Sequence, residues 1–505
     1  MKTVLFHTTL LFMLLCVPLL HAQGLDDAIF NSQTYYEGTS RSMAMGGATG
    51  AVGGDVTAVC INPAGMGLYR AQEFTFTTGL QHTFIHSNYY GNSEIAGKMR
   101  MNIPNMGLIF ASQFSNYNAV RFVQFGIGFT RTNDFNYNST VFGLNPNSSM
   151  VDAYLQTIDG IDDLFNPSTN VGDYLDRYHP YDLSPAWETY LFDQMEDSLG
   201  IFYTSPIPQG NIYQKDEVSS KGRSEEWTFA LSTNIYDKLF IGTSISASHL
   251  KRITKRVYTE TPADPNDLNN TFYSWNHAEN LGDTAWGVNA KVGIIYFPAR
   301  WLRLGAAWHT PTLYSFGENW ETETGSVIYN NPDGVDYHHR FSPTLYQTYE
   351  FRTPQKFIGS MTFFLDHGLI STDLEYMNYG SSKFKKNGDP FSDVNNNIKD
   401  YLKPTFNIRL GTEWRLWQYF LRGGVAYYGS PYGFGENYGS VKKLALGFGY
   451  AVNEGTSWDF AYELTEATSG YTPYSYYDGD ENLVNAAIQH RWRNKLMVTL
   501  KCRIE

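Results

Sequence analysis

Apolar and polar residues alternate along most of the chain after residue 70. In one typical stretch the apolar positions are Leu239, Ile241, Ile245 and Ala247, and the alternate positions are Gly242, Ser244, Ser246 and Ser248. The same alternation returns in 123–130, 302–309 and 496–504. A period of two residues belongs to a β-strand whose two faces meet different surroundings. We therefore predict a chain made mostly of strands, each with one apolar face and one face of small polar residues.

The pattern predicts fourteen strands, at 73–84, 103–113, 120–131, 225–235, 238–258, 283–296, 300–315, 346–365, 369–378, 404–414, 417–428, 440–451, 455–467 and 494–504. The connections alternate strictly. Short ones fall near 114–119, 236–237, 297–299, 366–368, 415–416 and 452–454, and long ones near 85–102, 132–224, 259–282, 316–345, 379–403, 429–439 and 468–493. Outer-membrane barrels have an even number of antiparallel strands, short periplasmic turns and long extracellular loops. The sequence therefore predicts an all-β, transmembrane antiparallel β-barrel.

The longest connection, 132–224, is predicted to contain helices. Val151, Tyr154, Leu155 and Ile158 follow helical spacing, and a second helix is expected around Trp187. A connection of this length without secondary structure would be unusual. We therefore expect a helical extracellular cap over the outer mouth of the barrel.

The N-terminus and the composition agree with an exported membrane barrel. Lys2 precedes an apolar core that is too short to span a bilayer, so 1–22 is interpreted as a signal peptide. No later run of about 18 apolar residues follows. The net charge of -13 argues against a nucleic-acid partner. The mean hydropathy of -0.36 is compatible with a barrel, because lipid-facing and lumenal residues average out.

A glycine-rich stretch, 40–70, lies between the signal peptide and the first strand. It matches neither the dinucleotide fingerprint nor the P-loop, and no strand precedes it. It is too apolar for a flexible linker. Glycine permits tight turns, and a barrel of this size has a lumen wider than its own side chains fill. We therefore predict that 23–72 forms a hatch, or plug, inside a barrel formed by 73–505.

The hatch sequence resembles that of the FadL/TodX family, which are outer-membrane transporters for long-chain fatty acids and other hydrophobic compounds. The resemblance rests on the glycine-rich segment followed by Asn62, Pro63, Ala64 and Gly65, then on the strand count and the helical cap. It implies a hydrophobic small-molecule ligand that is captured under the outer loops and released sideways through the wall after the hatch shifts. It also implies passive, ligand-gated diffusion and a monomer surrounded by outer-membrane lipid.

In this family a kink in the third strand provides the lateral opening. Gly126 and Gly128 lie on the lumenal face of the predicted third strand, where they serve either such a kink or the close approach of the hatch. The chain departs from typical barrels at its end, because Ile504-Glu505 replaces the usual terminal aromatic residue.

Charged residues within strands fall mainly on the polar face. Most are expected to form ion pairs that brace the hatch, but Arg303, Arg409 or Arg422 could hold a ligand carboxylate through a charge-assisted hydrogen bond. Asp373 and Glu375 could suggest a hydrolase, but they are neighbours on one predicted strand and no substrate cleft is visible around them. Common hydrolase and metalloprotease motifs are lacking, so an enzyme is not expected, nor is a metal or cofactor.

Three alternatives stay open at this stage. Haem uptake would use His309, His338 and His339 as axial ligands. A surface adhesin would not need the hatch, and an aqueous porin would conduct ions steadily. The two cysteines of the mature chain, Cys60 in the hatch and Cys502 on the lipid face of the last strand, are expected to be free thiols.

Overall fold

The protein is described by a computed structural model that covers residues 24–114, 119–264, 272–330, 334–386, 388, 391–433, 438–479 and 481–504. The expected signal peptide, 1–22, lies outside the described residues. Within the described ranges, no helix is both long and apolar enough to cross a membrane.

The strands form one closed antiparallel barrel with fourteen wall positions, as predicted. In chain order they are β1 (Gln72–Tyr89), β2 (Asn92–Gln113), β3 (Val120–Asp134), β4 (Tyr137–Asn145), β5 (Asp193–Asp197), β6 (Gly200–Thr204), β7 (Ile212–Ile235), β8 (Leu239–Pro262), β9 (Phe272–Ala299), β10 (Leu302–His309), β11 (Leu313–Asn330), β12 (Gly334–Phe341), β13 (Leu345–Arg352), β14 (Lys356–Leu365), β15 (Gly368–Asn378), β16 (Lys383–Lys385), β17 (Pro404–Leu416), β18 (Tyr419–Tyr428), β19 (Val441–Ala451), β20 (Thr456–Tyr471), β21 (Tyr477–Asp478), β22 (Glu481–Asn482) and β23 (Ala487–Ile504).

Four wall positions are each built from two strands. These are β3 with β4, β10 with β11, β14 with β13, and β15 with β16. The barrel closes where β1 pairs with β23 from Gln72↔Ile504 onward. The other strands are hairpins outside the wall: β5 with β6, β12 on β11, and β21 with β22.

The predicted sidedness of the strands is confirmed. Ile241 and Ile245 of β8 are exposed on the outer face, while Ser244, Ser246 and Ser248 are buried toward the lumen. Because the side-chain period is two, one correct position fixes the orientation of the whole strand.

The outer ends of several strands extend further than the sequence predicts. The expected loop at 85–102 is a hairpin, in which β1 and β2 continue to a turn at Tyr90 and Gly91 with φ of 44° and 80°. Likewise, β4 and the first half of β7 occupy part of the expected loop 132–224. Beyond the membrane both faces of a strand meet polar surroundings, so the apolar alternation fades while backbone pairing continues. The sequence pattern therefore loses the strand before the structure does.

The segment that precedes β1 is folded inside the barrel. It contains α1 (Leu25–Ser32), α2 (Ser40–Ala44), α3 (Ala58–Ile61) and a 3-10 helix (Pro63–Leu68), and nearly every residue from 37 to 67 is buried. Two of its charged residues pair with the wall: Arg41 with Glu413 at 2.8 Å and Asp55 with Lys501 at 3.0 Å. These contacts hold the hatch in the lumen.

Helices cover the outer mouth, as expected. They are α4 (Met150–Asp159), a 3-10 helix (Asp162–Phe165), α5 (Val171–Tyr178) and α6 (Leu183–Glu188), and they share one apolar core with the outer ends of β8 and β9. The helix expected around Trp187 ends at Glu188, and α5 was not predicted. The remaining helical pieces, α7 (Ser392–Tyr401) and a 3-10 turn (Tyr379–Ser381), precede and follow strand ends on the same side.

Glu260 of β8 fastens the cap to the wall. Its carboxylate accepts hydrogen bonds from Ser149 Oγ at 2.5 Å and from the backbone N–H of Met150 at 2.9 Å, at the start of α4. Tyr258 and Trp275 donate to the same carboxylate at 2.6 and 2.8 Å. Glu260 is fully buried, so its charge is balanced by these donors.

Candidate functional site

The third wall strand turns inward at Thr130. The ladder between β2 and β3 starts at Gln113↔Phe122 and stops at Asn105↔Thr130. From Thr130 to Asn136 every residue is buried, whereas regular wall strands alternate between buried and outward positions. β4 then continues along β7. Beyond Asn105 the third wall strand therefore shares no ladder with β2, and the wall has a gap there. The gap ends toward the cap where Asn138 of β4 donates to the carbonyl of Gly97 of β2 at 3.2 Å.

Local sequence builds both edges of this gap. On the β2 side, Pro104 has no N–H to donate, and it lies beside a register shift of the β1–β2 ladder between Thr77 and Gly79. On the opposite side, the ladder of β3 with β7 shifts register between Arg131 and Asn133. The irregularities face each other across the gap.

Asp134 holds the inward bend in place. Its carboxylate accepts hydrogen bonds from Arg131 Nη1 at 3.1 Å, from Gln81 Nε2 at 2.9 Å and from the backbone N–H of Asn136 at 3.0 Å. Asn136 Nδ2 in turn donates to the carbonyl of Gly222 on β7 at 2.8 Å. The bend is thus fixed by buried hydrogen bonds.

A cavity of about 590 Å³ occupies the gap. Its lining combines apolar and charged side chains, and the lining residues are Thr78, Met101, Asn102, Ile103, Met106, Phe129, Arg131, Arg223, Glu225 and Trp227. Met101 is 72% exposed, so the cavity reaches the outer surface of the barrel. A volume of this size accommodates a small organic molecule.

The hatch covers the gap from inside. The backbone N–H of Tyr35 donates to the carbonyl of Thr132 at 2.6 Å, and that of Glu37 donates to the carbonyl of Arg131 at 3.0 Å. Residues 35–37, which we call the gate segment, are therefore hydrogen-bonded to the bent part of β3.

The side chain of Glu37 ties the gate segment to β2, one edge of the gap, and to β23. Its carboxylate accepts a hydrogen bond from Asn102 Nδ2 of β2 at 3.4 Å and forms an ion pair with Lys495 of β23 at 2.5 Å. Both charged side chains are almost fully buried. Since a buried charge without a partner is costly, the ion pair of Glu37 with Lys495 stabilises the observed position of the gate segment.

A second, smaller cavity lies on the lumenal side of the bend. It measures about 40 Å³, and its lining residues are Phe30, Gln33, Tyr35, Asn133, Asp134, Phe135, Tyr137, Val441, Lys443, Thr465, Arg491 and Arg493. Lys443 pairs with Glu463 at 3.2 Å, and Arg493 donates to the carbonyl of Asp134 at 3.2 Å. Arg491 forms no ion pair with any described residue. The cavity therefore offers a cation among aromatic side chains.

The Asn-Pro-Ala-Gly motif organises the hatch itself. Asn62 Nδ2 donates to the carbonyl of Gly50 at 2.8 Å, and Asn62 Oδ1 accepts from the N–H of Ala64 at 3.2 Å, which caps the 3-10 helix. The N–H of Gly54 donates to the carbonyl of Gly65 at 3.1 Å. These bonds close the glycine-rich loop on itself.

The same motif rests directly on two glycines of the wall. A Cβ atom at Gly293 of β9 would collide with the amide of Asn62, and one at Gly242 of β8 would collide with the backbone of Pro63. Asn62 Nδ2 also approaches the carbonyl of Ile294 at 3.4 Å. The motif therefore lies against β8 and β9, beside rather than behind the gap.

Gly126 and Gly128 of β3 give room to the hatch. A Cβ atom at Gly126 would lie 2.5 Å from Met66 Sδ, and one at Gly128 would lie 2.8 Å from Val59 Cγ2. The ladder with β2 keeps its register through both glycines. Both lie in the strand that bends, and the bend itself begins after them, at Thr130.

Arg303 contacts the hatch rather than a wall carboxylate. Its Nη1 donates to the carbonyl of Val52 at 2.6 Å. Its guanidinium lies between the rings of Phe297 and Phe364, 4.3 and 4.1 Å from their centroids. These cation–π contacts stabilise it inside the lumen.

Arg409 and Arg422 are paired with carboxylates of the wall. Arg409 lies 3.2 Å from Glu375, and Arg422 lies 2.6 Å from both Glu413 and Asp459. Their charges are thus balanced around the hatch. A ligand contact of the three arginines stays a prediction.

The three histidines named for haem do not come together. His309 lies at the end of β10, with its Nε2 hydrogen-bonded to the carbonyl of Ile61 at 2.8 Å. His338 and His339 lie on β12, where His339 pairs with Gly325. The strand from His309 to Gly325 spans about 50 Å. They are too far apart to hold one haem, and no group of three or more potential metal ligands occurs among the described residues.

Sequence reasoning missed the residues that form the gap and its gate. The sequence pattern ends the third strand at Arg131, assigns Thr132, Asn133 and Asp134 to the start of a loop, and begins the last strand after Arg493. In both places, 131–134 and 493–495, polar residues at consecutive positions interrupt the alternation, which indicates an irregular strand but not the contacts that it makes. Cys60 and Cys502 are free thiols, as predicted.

A filled lumen, a helical cap and a gap in the wall define a plugged β-barrel of the outer-membrane type. Two solved structures share its architecture. The crystal structure of a Pseudomonas aeruginosa FadL homologue matches with a TM-score of 0.56 at 12% identity, over 94% of this chain and 100% of that chain. A TodX monoaromatic hydrocarbon channel, a deltaS2 mutant, matches with a TM-score of 0.51 at 12% identity, over 92% of this chain and 99% of that chain.

At these identities the likeness establishes the fold. The chain has the fold of the FadL homologue, which confirms at that level the resemblance found in the sequence. The comparisons with protein-family models and with curated proteins found no match.

Proposed function

We propose that this protein takes up hydrophobic small molecules, such as long-chain fatty acids, across the outer membrane by passive, ligand-gated diffusion. The fold supports this proposal, because one protein that shares it is a monoaromatic hydrocarbon channel. The apolar cap and the aromatic lining of the lumen also suit an apolar ligand. An alternative role in haem uptake has no support from the positions of the histidines.

The ligand would first enter beneath the cap and then meet an aromatic cluster around α1. This cluster includes Phe316 and Tyr349, whose ring centroids lie 5.0 Å apart, and Phe351 and Phe384, at 4.6 Å. Phe135, in the bend of the third wall strand, belongs to the same cluster. An apolar ligand could therefore pass from the cap to the bend without leaving apolar surroundings.

The ligand would then displace the gate segment and leave sideways. Arg491 is placed to attract a carboxylate head group, and the hatch would turn locally around residues 62–65 as the ligand arrives. The observation that carries the proposal is the position of the gate segment, which pairs with the bent strand and covers a gap that is already present in the wall. Lateral release delivers an apolar molecule into the membrane without exposing it to water.

A reversible cross-link between the gate segment and β2 tests this route. The variant Glu37→Cys/Asn102→Cys, with Cys60→Ser and Cys502→Ser to remove the native thiols, is treated with a short, reducible bifunctional thiol reagent. Uptake of a labelled fatty acid by cells should stop after cross-linking and return after reduction.

The matched control places the cross-link away from the gap. Ser40 of the hatch and Thr499 of β23 lie in hydroxyl contact at 2.9 Å, so Ser40→Cys/Thr499→Cys joins hatch and wall without touching the gate segment. This cross-link should leave uptake largely intact. Full uptake with residues 37 and 102 joined would overturn the proposed route.

A further inference from the structure

A groove crosses the outer surface of the barrel, about four strands along the wall from the gap. It lies where β10 gives way to β11 around Pro311, and it consists of two adjoining cavities of about 630 and 590 Å³. Both cavities are lined by Val288, Leu313 and Arg352. The groove is therefore a continuous depression in the lipid-facing wall.

One row of paired residues across the groove changes from apolar to basic. Ala247 pairs with Val288, Val288 with Leu313, Leu313 with Arg352, and Arg352 with Lys383. Val288 and Leu313 are exposed, and so are the side chains of Arg352 and Lys383. Acyl chains and an anionic head group would find complementary surfaces along this single row.

An aromatic row places the groove at the outer membrane interface. Trp308 pairs with Phe357, Phe357 with Tyr376, and Tyr376 with Phe406, directly on the periplasmic side of the basic residues. Aromatic girdles mark the level of the lipid head groups in outer-membrane barrels. Arg352 and Lys383 follow a few residues further toward the cap, so they lie at the depth of the head groups of the outer leaflet.

Arg352, Lys383 and Lys385 give this part of the groove a positive charge, although the net charge of the protein is -13. Lys385, which lies on the next row toward the cap, forms a largely exposed ion pair with Glu350 at 3.8 Å. Among the described residues, Arg352 and Lys383 form no ion pair. Two uncompensated cations beside exposed apolar side chains match a phosphate group attached to acyl chains.

We propose that this groove binds a phosphorylated glycolipid of the outer leaflet, with the phosphate on Arg352 and Lys383 and an acyl chain along Val288 and Leu313. The site is separate from the transport route, and it depends on the outer-membrane location but not on the identity of the transported ligand. Its occupant would anchor the outer half of the barrel at the interrupted strands.

The test is native mass spectrometry of the purified protein with monophosphorylated lipid A. The double variant Arg352→Gln/Lys383→Gln removes both cations. The control Lys251→Gln/Lys255→Gln makes the same change in charge on exposed residues of β8 outside the groove. We expect the first variant to lose at least about tenfold in retained lipid A, and the control to retain as much as the unmodified protein. Heat-modifiability on gels verifies that both variants fold.

Two further lipids identify the recognised group. Phosphatidylethanolamine and dephosphorylated lipid A should be retained poorly by the unmodified protein. Equal retention of these lipids, or equal loss from both variants, would overturn the proposal, because the binding would then be non-specific. A protein dimer that disappears in Arg352→Gln/Lys383→Gln would also overturn it and assign the groove to a second copy of the chain.

Discussion

The backbone N–H of Tyr35 donates a hydrogen bond of 2.6 Å to the carbonyl of Thr132, at the point where the third wall strand has left the barrel wall. The inward bend of the strand thus creates the gap and also presents the carbonyl groups on which the gate segment closes it. The proposed opening would break the backbone hydrogen bonds of Tyr35 and Glu37 and the buried ion pair of Glu37 with Lys495.

The variant Glu37→Gln should loosen the gate segment. It leaves Lys495 buried without its carboxylate, which costs on the order of 3 kcal/mol for a pair of this kind. We expect brief conductance events in planar bilayers and greater sensitivity of cells to a large hydrophobic antibiotic.

The control for this variant is Glu217→Gln, which breaks an exposed pair with Lys215. Exposed pairs contribute about 1 kcal/mol or less, so this change should have no effect. A closed channel in Glu37→Gln, indistinguishable from that of the control, would show that the ion pair does not hold the gate segment.

The variant Gly293→Ala should disturb the hatch from the side of the wall. Its methyl group would collide with Asn62, whereas an added Cβ at Gly359 of β14 meets nothing within 4 Å. The buried thiol of Cys60 reports the effect, once Cys502→Ser has removed the other thiol. Labelling of Cys60 by a maleimide should be faster in Gly293→Ala than in Gly359→Ala. Equal labelling would mean that the motif tolerates displacement from the wall.

The sequence predicts the fold where a strand has lipid on one face and the packed lumen on the other, because these surroundings require apolar and polar residues to alternate. The lipid on one side and the packed lumen on the other give Ile245 and Ser246 opposite character, so the strand and its orientation are both predictable. At Tyr90 the strands stand clear of the membrane, and the alternation no longer distinguishes strand from loop. The run Arg131-Thr132-Asn133-Asp134 is buried by the hatch, which is distant in sequence, so its role depends on contacts that no local pattern contains.

An arginine placed at Leu446 should destabilise the barrel. Leu446 is exposed on the outer face in the middle of β19, so Leu446→Arg places a charge in the lipid at a cost of roughly 2–4 kcal/mol. Trp301 is equally exposed but lies in a periplasmic turn, where an arginine should cost about 1 kcal/mol or less. Reversible unfolding in urea, in lipid vesicles, compares the two. Similar losses at both sites would contradict the membrane position assigned to β19.

The cap should become less stable as the pH rises from 4 to 7. Burial raises the pKa of Asp152 to about 6, and the nearby charge of Glu260 raises it further, although a hydrogen bond from the N–H of Ser149 opposes both. Because the folded cap binds this proton more tightly than the unfolded segment, the stabilisation is complete below the ordinary pKa and is lost as the pH passes through about 6. Protection factors from hydrogen exchange in α4 should therefore be higher at pH 5 than at pH 7.5.

The variant Asp152→Asn should abolish most of this pH dependence, because it removes the titrating group. Asp173→Asn, at the corresponding place in the first turn of α5, serves as the control and should leave the dependence in α4 unchanged. A protection factor in α4 that changes with pH equally in both variants would assign the effect to another group.

The variant Arg491→Gln should separate two views of how a ligand carboxylate is held. Arg491 lines the small cavity beside the bend and has no ion pair among the described residues, whereas Arg422 is held between Glu413 and Asp459. A charge-assisted hydrogen bond contributes about 1.5–3 kcal/mol, so Arg491→Gln should weaken fatty-acid binding by about tenfold or more. The corresponding fatty alcohol should bind equally well to both forms, because it carries no charge. Arg422→Gln should reduce stability without this selectivity for the acid, since its charge is already balanced. Calorimetry in detergent measures the binding of the acid and of the alcohol to each variant. If Arg422→Gln selectively lost binding of the acid while Arg491→Gln did not, the carboxylate would be bound by the arginines around the hatch and not by Arg491.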